Sequence, residues 1–513
     1  MEVAKRITRI IPIVLFAMLT LIGISFSLYL LFTTSALPYT HAIAILFLAL
    51  SVISGFFNIF TSYSYYRSSF YDDYIDEISR NLKPLTRFPT VAIAVPVYNE
   101  DVKTVEKNLQ RLREMRYPAD KLNIYLLDDS TDRKINDELH SFAKRSGIRY
   151  MHRKSRKGFK AGALNNFIKH SSEEFVAIFD YDEYLTNTNF LMEILPYFGD
   201  DNVSYVQTEK RYFKGTFFSD TVDLFDAFFF KFIQPSRALN NTAIFAGSCG
   251  VIRRKALRRI GGFPEYVVED TFFSLESDMH NYKSLYLPKV YAYGKPIMTF
   301  SDLAKQQFRY NYGDTQFLHY FMSKQNGSRR KMSALSKIDY ITHGFGLNYI
   351  SIALILFTLV SILIVYSSSP LAKVTIATVL HPTGLPIAIE LLGGLTFALS
   401  ILAPVLITKI HFKSVRKGLM VFFLNFALAI IRAKAVIAAS LSLAPASAWD
   451  KAEGDMKKVA TAARNSASEI VFSTALLALS MFAFVINNFS GALWLLWYSL
   501  LYASTFFFFY KYG

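Results

Sequence analysis

The 513-residue chain contains one cysteine, Cys249, so no disulfide can form within it. It also lacks a glycine-rich loop of the G-x-G-x-x-G or Walker type after its first soluble strand, Val91–Val95. That excludes the usual nicotinamide-cofactor enzyme and P-loop ATPase. Zinc-finger spacing and RNA-binding signatures are missing too, and nucleic acid is excluded as a partner despite a formal charge of +16. The basic residues are explained by apolar segments, because lysine and arginine gather on the cytoplasmic side of spans and beside anionic lipid. No histidine is placed to activate Cys249, which sits among small residues and reads as a packing position rather than a nucleophile.

What the chain has in excess is apolar and aromatic residues: 52 % hydrophobic, with 47 Phe and 31 Tyr. They are unevenly spread. Residues 10–63 and 343–510 are strongly apolar, while the middle is mixed and charged like a soluble domain. This predicts an integral membrane protein carrying a sizeable non-membrane domain. Six spans are expected, near Ile10–Phe32, Tyr39–Phe60, Phe345–Val365, Pro386–Leu406, Ile470–Ile486 and Ala492–Phe509. Lys5, Arg6 and Arg9 precede the first and Tyr63, Tyr65, Tyr66 and Arg67 close the second. The middle domain and both termini are therefore predicted to be cytoplasmic, in a multi-pass protein of the cell membrane. Residues 418–444 carry Arg432 and Lys434, which are costly in hydrocarbon, and are expected to lie at the inner interface; one more crossing is the alternative.

The expected organisation is a transmembrane hairpin over 1–66, a linker over 67–87, a cytoplasmic domain over 88–342, and membrane and interfacial helices over 343–513. Within the cytoplasmic domain, apolar strands end in acids. Asn123–Leu127 runs into Asp128 and Asp129, and Phe175–Phe179 into Asp180 and Asp182. Strands alternating with helical patterns predict an α/β fold with a doubly wound, mostly parallel sheet and ligands at its carboxyl edge. Period two would place Asp180 and Asp182 on one side, where two hard oxygen ligands suit a divalent cation holding a diphosphate; a simple turn after a strand is the alternative. Glu269 and Asp270 add further carboxylate, one a candidate general base, and Lys160, Arg309 and Arg211 are candidates to meet phosphate charge.

Six motifs in order carry a resemblance: Pro96-Val97-Tyr98-Asn99-Glu100, Asp128-Asp129-Ser130, Lys157 to Asn165, Asp180-Tyr181-Asp182, Glu269-Asp270 and Gln306-Gln307-Phe308-Arg309-Tyr310. Over residues 88–320 the chain resembles the inverting membrane-integrated family 2 glycosyltransferases, the cellulose, mannan and hyaluronan synthase superfamily. The resemblance implies a GT-A-type nucleotide-sugar domain that moves a hexose from a nucleoside diphosphate, UDP-glucose or UDP-N-acetylglucosamine being favoured, to an acceptor hydroxyl. It implies that Pro96, Tyr98 and Glu100 border the nucleotide, with Asp128, Asp129, Lys160 and Asp180 as further donor ligands. Asp182, with Asp180, would hold Mg²⁺ or Mn²⁺. Asp270 would be the general base beside Glu269, and Gln306, Gln307, Arg309 and Tyr310 would serve pyrophosphate and acceptor. Here Val268 replaces the family's threonine and Tyr310 its tryptophan, and residues 445–466 do not match the family's gating loop. Processive polymer synthesis coupled to export is the expectation. Transfer of one or a few sugars to a lipid or polyprenyl-phosphate acceptor is one alternative, and a nucleotide-sugar-binding transporter without transferase chemistry is another.

Overall fold

The computed structural model describes residues 38–325, 332–366, 405–443 and 455–513, with isolated positions between 10 and 28. A long helix, α1 (Pro38–Arg67), precedes an α/β domain. The domain is built on an eight-stranded sheet: β1 (Val91–Val97), β2 (Leu122–Asp128), β3 (Arg149–His152), β4 (Phe175–Ile178), β5 (Tyr184–Leu185), β6 (Val203–Tyr212), β7 (Gly250–Arg253) and β8 (Lys283–Gly294). Its strand order is β3-β2-β1-β4-β7-β6-β8-β5. β3, β2, β1 and β4 are parallel, β7 runs antiparallel to both neighbours, and β6 and β8 are again parallel to each other. The sheet is therefore mixed, a correction to the mostly parallel sheet expected.

Alternation along the central strands builds both faces. Val91, Ile93, Val95 and Val97 point into one apolar cluster with Val105, Leu109 and Leu112. Ala92 and Ala94 point into the other, against Ala161, Leu164 and Phe167 of α2 (Phe159–His170). The small residues on that face let α2 approach the sheet closely. The chain winds outward from β1 through β2 to β3, then returns to place β4 on the other side of β1. A crevice opens at such a reversal, beyond the carboxyl ends of β1 and β4.

Helix α3 (Phe217–Phe228), helix α4 (Glu269–Met279) and the long α5 (Phe300–Gln325) bring the domain to the apolar helices. Those are α6 (Ala334–Tyr366), α7 (Val415–Ser440), α8 (Ala467–Val485) and α9 (Phe489–Tyr512). The expectation of about six spans is overturned. Among the described residues three helices, Val415–Ser440, Ala467–Val485 and Gly491–Tyr512, are long and apolar enough to cross a membrane. There are four if the pair within α6, bent by 65°, counts as one. The predicted spans Ile10–Phe32 and Pro386–Leu406 lie largely outside the described residues, as do positions 445–454 of the predicted gating loop.

Helix α7 covers the stretch expected at the interface because of Arg432 and Lys434. It is one continuous helix of spanning length. Arg432 does not face lipid: it is fully buried in protein, where side-chain amides accept its N–H groups. Lys434 reaches outward to the Ser468 hydroxyl. A charge so satisfied no longer argues against a crossing.

Candidate active site

At the carboxyl end of β4 the chain leaves the sheet after Ile178 and turns through Asp180–Asp182. The two aspartates do not share a strand face, as period two had suggested, and they end in different surroundings. The Lys160 ammonium donates to Asp180 Oδ1 at 2.7 Å, and Lys210 Nζ lies 3.4 Å from Oδ2. Burial pushes the Asp180 carboxyl up, but Lys160 and Lys210 outweigh it and hold the group well below the usual range. Asp182 makes no ion pair among the described residues. Burial first, then the charges of Asp180 and Glu183, push its carboxyl up to about 7.

Glu183, a residue the motif reading left unused, knits this turn to the sheet. Its carboxylate accepts from the Asp180 backbone N–H at 2.9 Å and from the Ser248 hydroxyl at 2.7 Å, and pairs with Lys210 at 3.1 Å. Lys210 was missed as well. It comes from β6, whose pairing with β7 brings it beside Ser248, and it donates to Ser248 Oγ at 2.6 Å.

Asp270 stands in the first turn of α4, where its Oδ1 accepts the Thr271 N–H at 2.8 Å. Burial raises its pKa, against the pull of Lys160. Glu269 is buried beside it and is pushed up to about 7, by burial and then by Asp270. The donor-side acids and this pair meet at Gly247. Lys160 donates to the Gly247 carbonyl at 3.1 Å while holding Asp180. A Cβ at position 247 would lie 2.8 Å from Asp270 Oδ2, and φ there is +79°. Only glycine accommodates both the left-handed backbone and the close carboxylate.

The five residues expected to border the nucleotide, Pro96, Tyr98, Glu100, Asp128 and Asp129, stand at or just beyond the carboxyl ends of β1 and β2. Asp128 is fully buried and committed to the fold, accepting from Ser130 N at 2.8 Å, Asn136 Nδ2 at 3.2 Å and the Tyr150 hydroxyl at 2.7 Å. Asp129 takes a fork from Arg153, with Nε donating to Oδ1 at 2.8 Å and Nη2 to Oδ2. The Tyr98 ring carries the Arg156 guanidinium 3.3 Å above its centre. Glu100 is half-buried, and burial raises its pKa against the pull of the Tyr181 hydroxyl. Pro96 lies within β1 opposite Leu127. Arg153 and Arg156 were not singled out from sequence.

The Gln306–Tyr310 stretch lies on α5 and is split in use. Gln307 is buried, its Oε1 accepting Arg432 Nε at 3.1 Å and Nη2 at 2.8 Å. Gln306 lines a small cavity with Tyr212, Asp223, Phe225 and Asp226. Arg309 is exposed, its guanidinium 5.7 Å from the Tyr310 ring centre. Tyr310 is half-buried, and burial, then Asp226, raises its pKa. Arg211 pairs with Asp223 at 2.6 Å and is not offered to the crevice as a phosphate ligand.

Among the described residues no group of three or more His, Cys, Asp or Glu side chains is arranged to hold a metal ion. The donor set nevertheless fits Mg²⁺ or Mn²⁺ bound together with a diphosphate. Such ions need only one or two protein carboxylates when phosphate oxygens and water complete the shell. Asp182, a hard oxygen ligand without a cation partner, would be that carboxylate.

The glycosyl transferase family 2 model matches residues 92–261. The cellulose synthase catalytic subunit of Pseudomonas fluorescens (strain SBW25) is 30 % identical over 236 residues, 45 % of this chain and 31 % of that protein. A probable glucomannan 4-beta-mannosyltransferase of Oryza sativa subsp. japonica is 31 % identical over 244 residues, 44 % of this chain and 40 % of that protein. The chain thus matches well under half the length of these relatives. In fold it is similar to a mannosyltransferase from Pyrobaculum calidifontis solved in complex with GDP-Man and Mn²⁺. The TM-score is 0.51 at 20 % identity, covering 78 % of this chain and 99 % of that one. The strand-end acids and their place at the sheet reversal lie within the family match: residues 92–261 carry a glycosyl transferase family 2 domain, similar in sequence to the cellulose and mannan synthases and in fold to the solved mannosyltransferase.

Proposed function

We propose that the chain transfers a hexosyl group from a nucleoside-diphosphate sugar to an acceptor hydroxyl at the membrane face, by single displacement with inversion. The observation that carries this reading is the bridge at Lys160. One ammonium holds Asp180 and the Gly247 carbonyl, and Asp270 lies against Gly247. Groups suited to a leaving diphosphate and a carboxylate suited to a general base are thereby fixed to one another. Asp270 takes the proton of the acceptor hydroxyl as its oxygen bonds the anomeric carbon, and the bond from that carbon to the diphosphate oxygen breaks. Lys160 and Lys210 lie where the departing charge collects. Mg²⁺ or Mn²⁺, held by Asp182 with the donor phosphates, supplies further neutralisation of that charge when bound.

For the donor we favour UDP-glucose or UDP-N-acetylglucosamine, and for the product a growing polysaccharide made on the cytoplasmic face of the cell membrane and exported across it. The identity with a cellulose synthase subunit supports this choice. A second reading has its own support. Tyr310 stands where polymer synthases carry tryptophan, and the fold neighbour was solved with GDP-Man. It is transfer of one or a few sugars, mannose included, to a lipid-linked acceptor. Incubating the purified protein with a panel of UDP- and GDP-sugars plus Mn²⁺ tests both, reading released nucleotide and product length. A high polymer supports the first reading, and a single sugar on extractable lipid supports the second. No nucleotide release from any donor rejects transferase chemistry and leaves a binding or transport role.

A further inference from the structure

The turn that leads into α7 carries more positive charge than the protein around it uses. Residues 405–412 are helical, the chain turns at Lys413 and Ser414, and α7 begins at Val415. Lys409, Lys413, Arg416 and Lys417 all fall in this stretch, and no Asp or Glu occurs between Glu390 and Asp450 to meet them. Lys417 turns inward and pairs with Asp220 of α3 at 3.3 Å. Lys409, Lys413 and Arg416 are exposed, and their side chains have no ion pair or hydrogen bond among the described residues. The Arg416 guanidinium lies 4.6 Å from the Phe217 ring centre, which restrains it and leaves its N–H edge for another acceptor.

These cations are held in place. His411 Nε2 is hydrogen-bonded to the Tyr65 hydroxyl of α1, and its ring packs edge-on against Phe232 with centres 4.8 Å apart. Ser414 Oγ accepts the Lys417 N–H at 3.2 Å. Lys413 sits at a φ of +55°, a left-handed conformation that glycine would take without strain and that persists only where neighbours fix it. What lysine adds there is an ammonium at the apex. Exposed Ile410, Val415 and Leu419 are interleaved with the cations, and α7 is of spanning length from Val415 onward. Basic and apolar side chains mixed at the mouth of a span face the headgroup layer. Lys231 of the α/β domain brings another ammonium, 5.4 Å from the Phe412 ring centre. A lipid phosphate at this turn would meet the Arg416 fork and the lysine point charges, and its acyl chains the three apolar side chains.

We propose that the turn over residues 409–416 is a seat for the headgroup of an anionic phospholipid, with Lys409, Lys413 and Arg416 gripping its phosphate where α1, α7 and the α/β domain meet. The site goes beyond the transferase reading and does not depend on it.

The experiment titrates the full chain in a neutral detergent, in separate arms, with dioctanoyl phosphatidylglycerol, dioctanoyl phosphatidylcholine and inorganic phosphate, reading binding by isothermal calorimetry. The wild-type protein should bind phosphatidylglycerol saturably, phosphatidylcholine much more weakly and phosphate alone not at all. Each cation removed should weaken phosphatidylglycerol binding by about fivefold, so Lys409→Gln/Lys413→Gln/Arg416→Gln should lose on the order of a hundredfold. Lys434→Gln removes a positive charge about 27 Å further along α7 and should bind as the wild type does. Lys409→Arg/Lys413→Arg/Arg416→Lys changes the same three positions but keeps their charge, and it should keep most of the affinity, which separates lost charge from a damaged turn. The seat is overturned if phosphatidylcholine binds as well as phosphatidylglycerol, if phosphate alone fills the site, or if the triple glutamine variant keeps wild-type affinity. It is overturned equally if Lys434→Gln weakens binding as much as that variant does, or if the charge-retaining variant binds no better than it.

Discussion

Removing the Gln307 side-chain amide should destabilise the protein, and removing its partner as well should largely repair the damage. Arg432 is fully buried in α7 and meets no carboxylate among the described residues. Its guanidinium depends on two neutral oxygens. Gln307 Oε1 accepts two N–H groups at 3.1 and 2.8 Å, and Asn425 Oδ1 accepts a third at 3.1 Å. A hydrogen bond to a charged group contributes about 1.5–3 kcal/mol net, and leaving a buried donor unmet costs its desolvation. Two bonds to a single oxygen do not add fully, so we take about 3 kcal/mol for Gln307→Leu. Replacing both members with apolar side chains leaves nothing unmet, so Arg432→Met/Gln307→Leu should lie within about 1 kcal/mol of wild type. Gln307→Glu supplies the missing countercharge and should be at least as stable as wild type.

The assay is thermal unfolding of the full chain in detergent, followed by tryptophan fluorescence. The double-mutant cycle should give a coupling of about 2–3 kcal/mol. The reasoning fails if Gln307→Leu melts with wild type, or if the double variant melts as low as the sum of the single changes. The cycle also bears on function, because Gln307 lies on the helix that carries Arg309 and Tyr310. Its side-chain oxygen is committed to tying that helix to α7. In nucleotide-sugar titrations Gln307→Leu should therefore change donor affinity far less than Lys160→Met does.

Three further outcomes follow from the donor side and the base. Asp270→Asn should lower transfer by about 10²–10⁴-fold while Mn²⁺-dependent nucleotide binding, read by calorimetry, persists. Gly247→Ala adds a Cβ 2.8 Å from Asp270 Oδ2 at a φ of +79°; about 1–2 kcal/mol of backbone strain and a displaced carboxylate should reduce kcat by tenfold or more, checked in the same assay. The base must be ionised to act, and burial raises the pKa of Asp270, so kcat/KM should climb with pH on its acid side. Glu269, pushed up to about 7 by burial and then by the Asp270 charge, is a like charge beside it, and removing that charge in Glu269→Gln should move the acid limb to lower pH. A limb that moves upward or stays in place would contradict that coupling.

What could be read beforehand was local. Alternation in β1 and β4, and acids where the apolar runs stop, depend on neighbours in sequence, and they led to Asp128, Asp129, Asp180, Asp182 and Asp270. Lys210 could not be found that way. It sits between Glu209 and Arg211, a run that reads as a solvated strand edge, and only the pairing of β6 with β7 aims it at Asp180 and Glu183. The antiparallel insertion of β7 between β4 and β6 was invisible for the same reason, since nothing in Gly250–Arg253 announces its partners. Arg432 shows the same dependence on distant partners. Its cost in hydrocarbon is real, but the amide that removes the cost is 125 residues away. Asp180 and Asp182 sharpen the point. They are the same residue type two positions apart, yet one is held ionised by lysines from α2 and β6 while the other is pushed up to about 7. The motif located both. Which of them is free to take a cation is decided by where two distant ammonium groups come to rest.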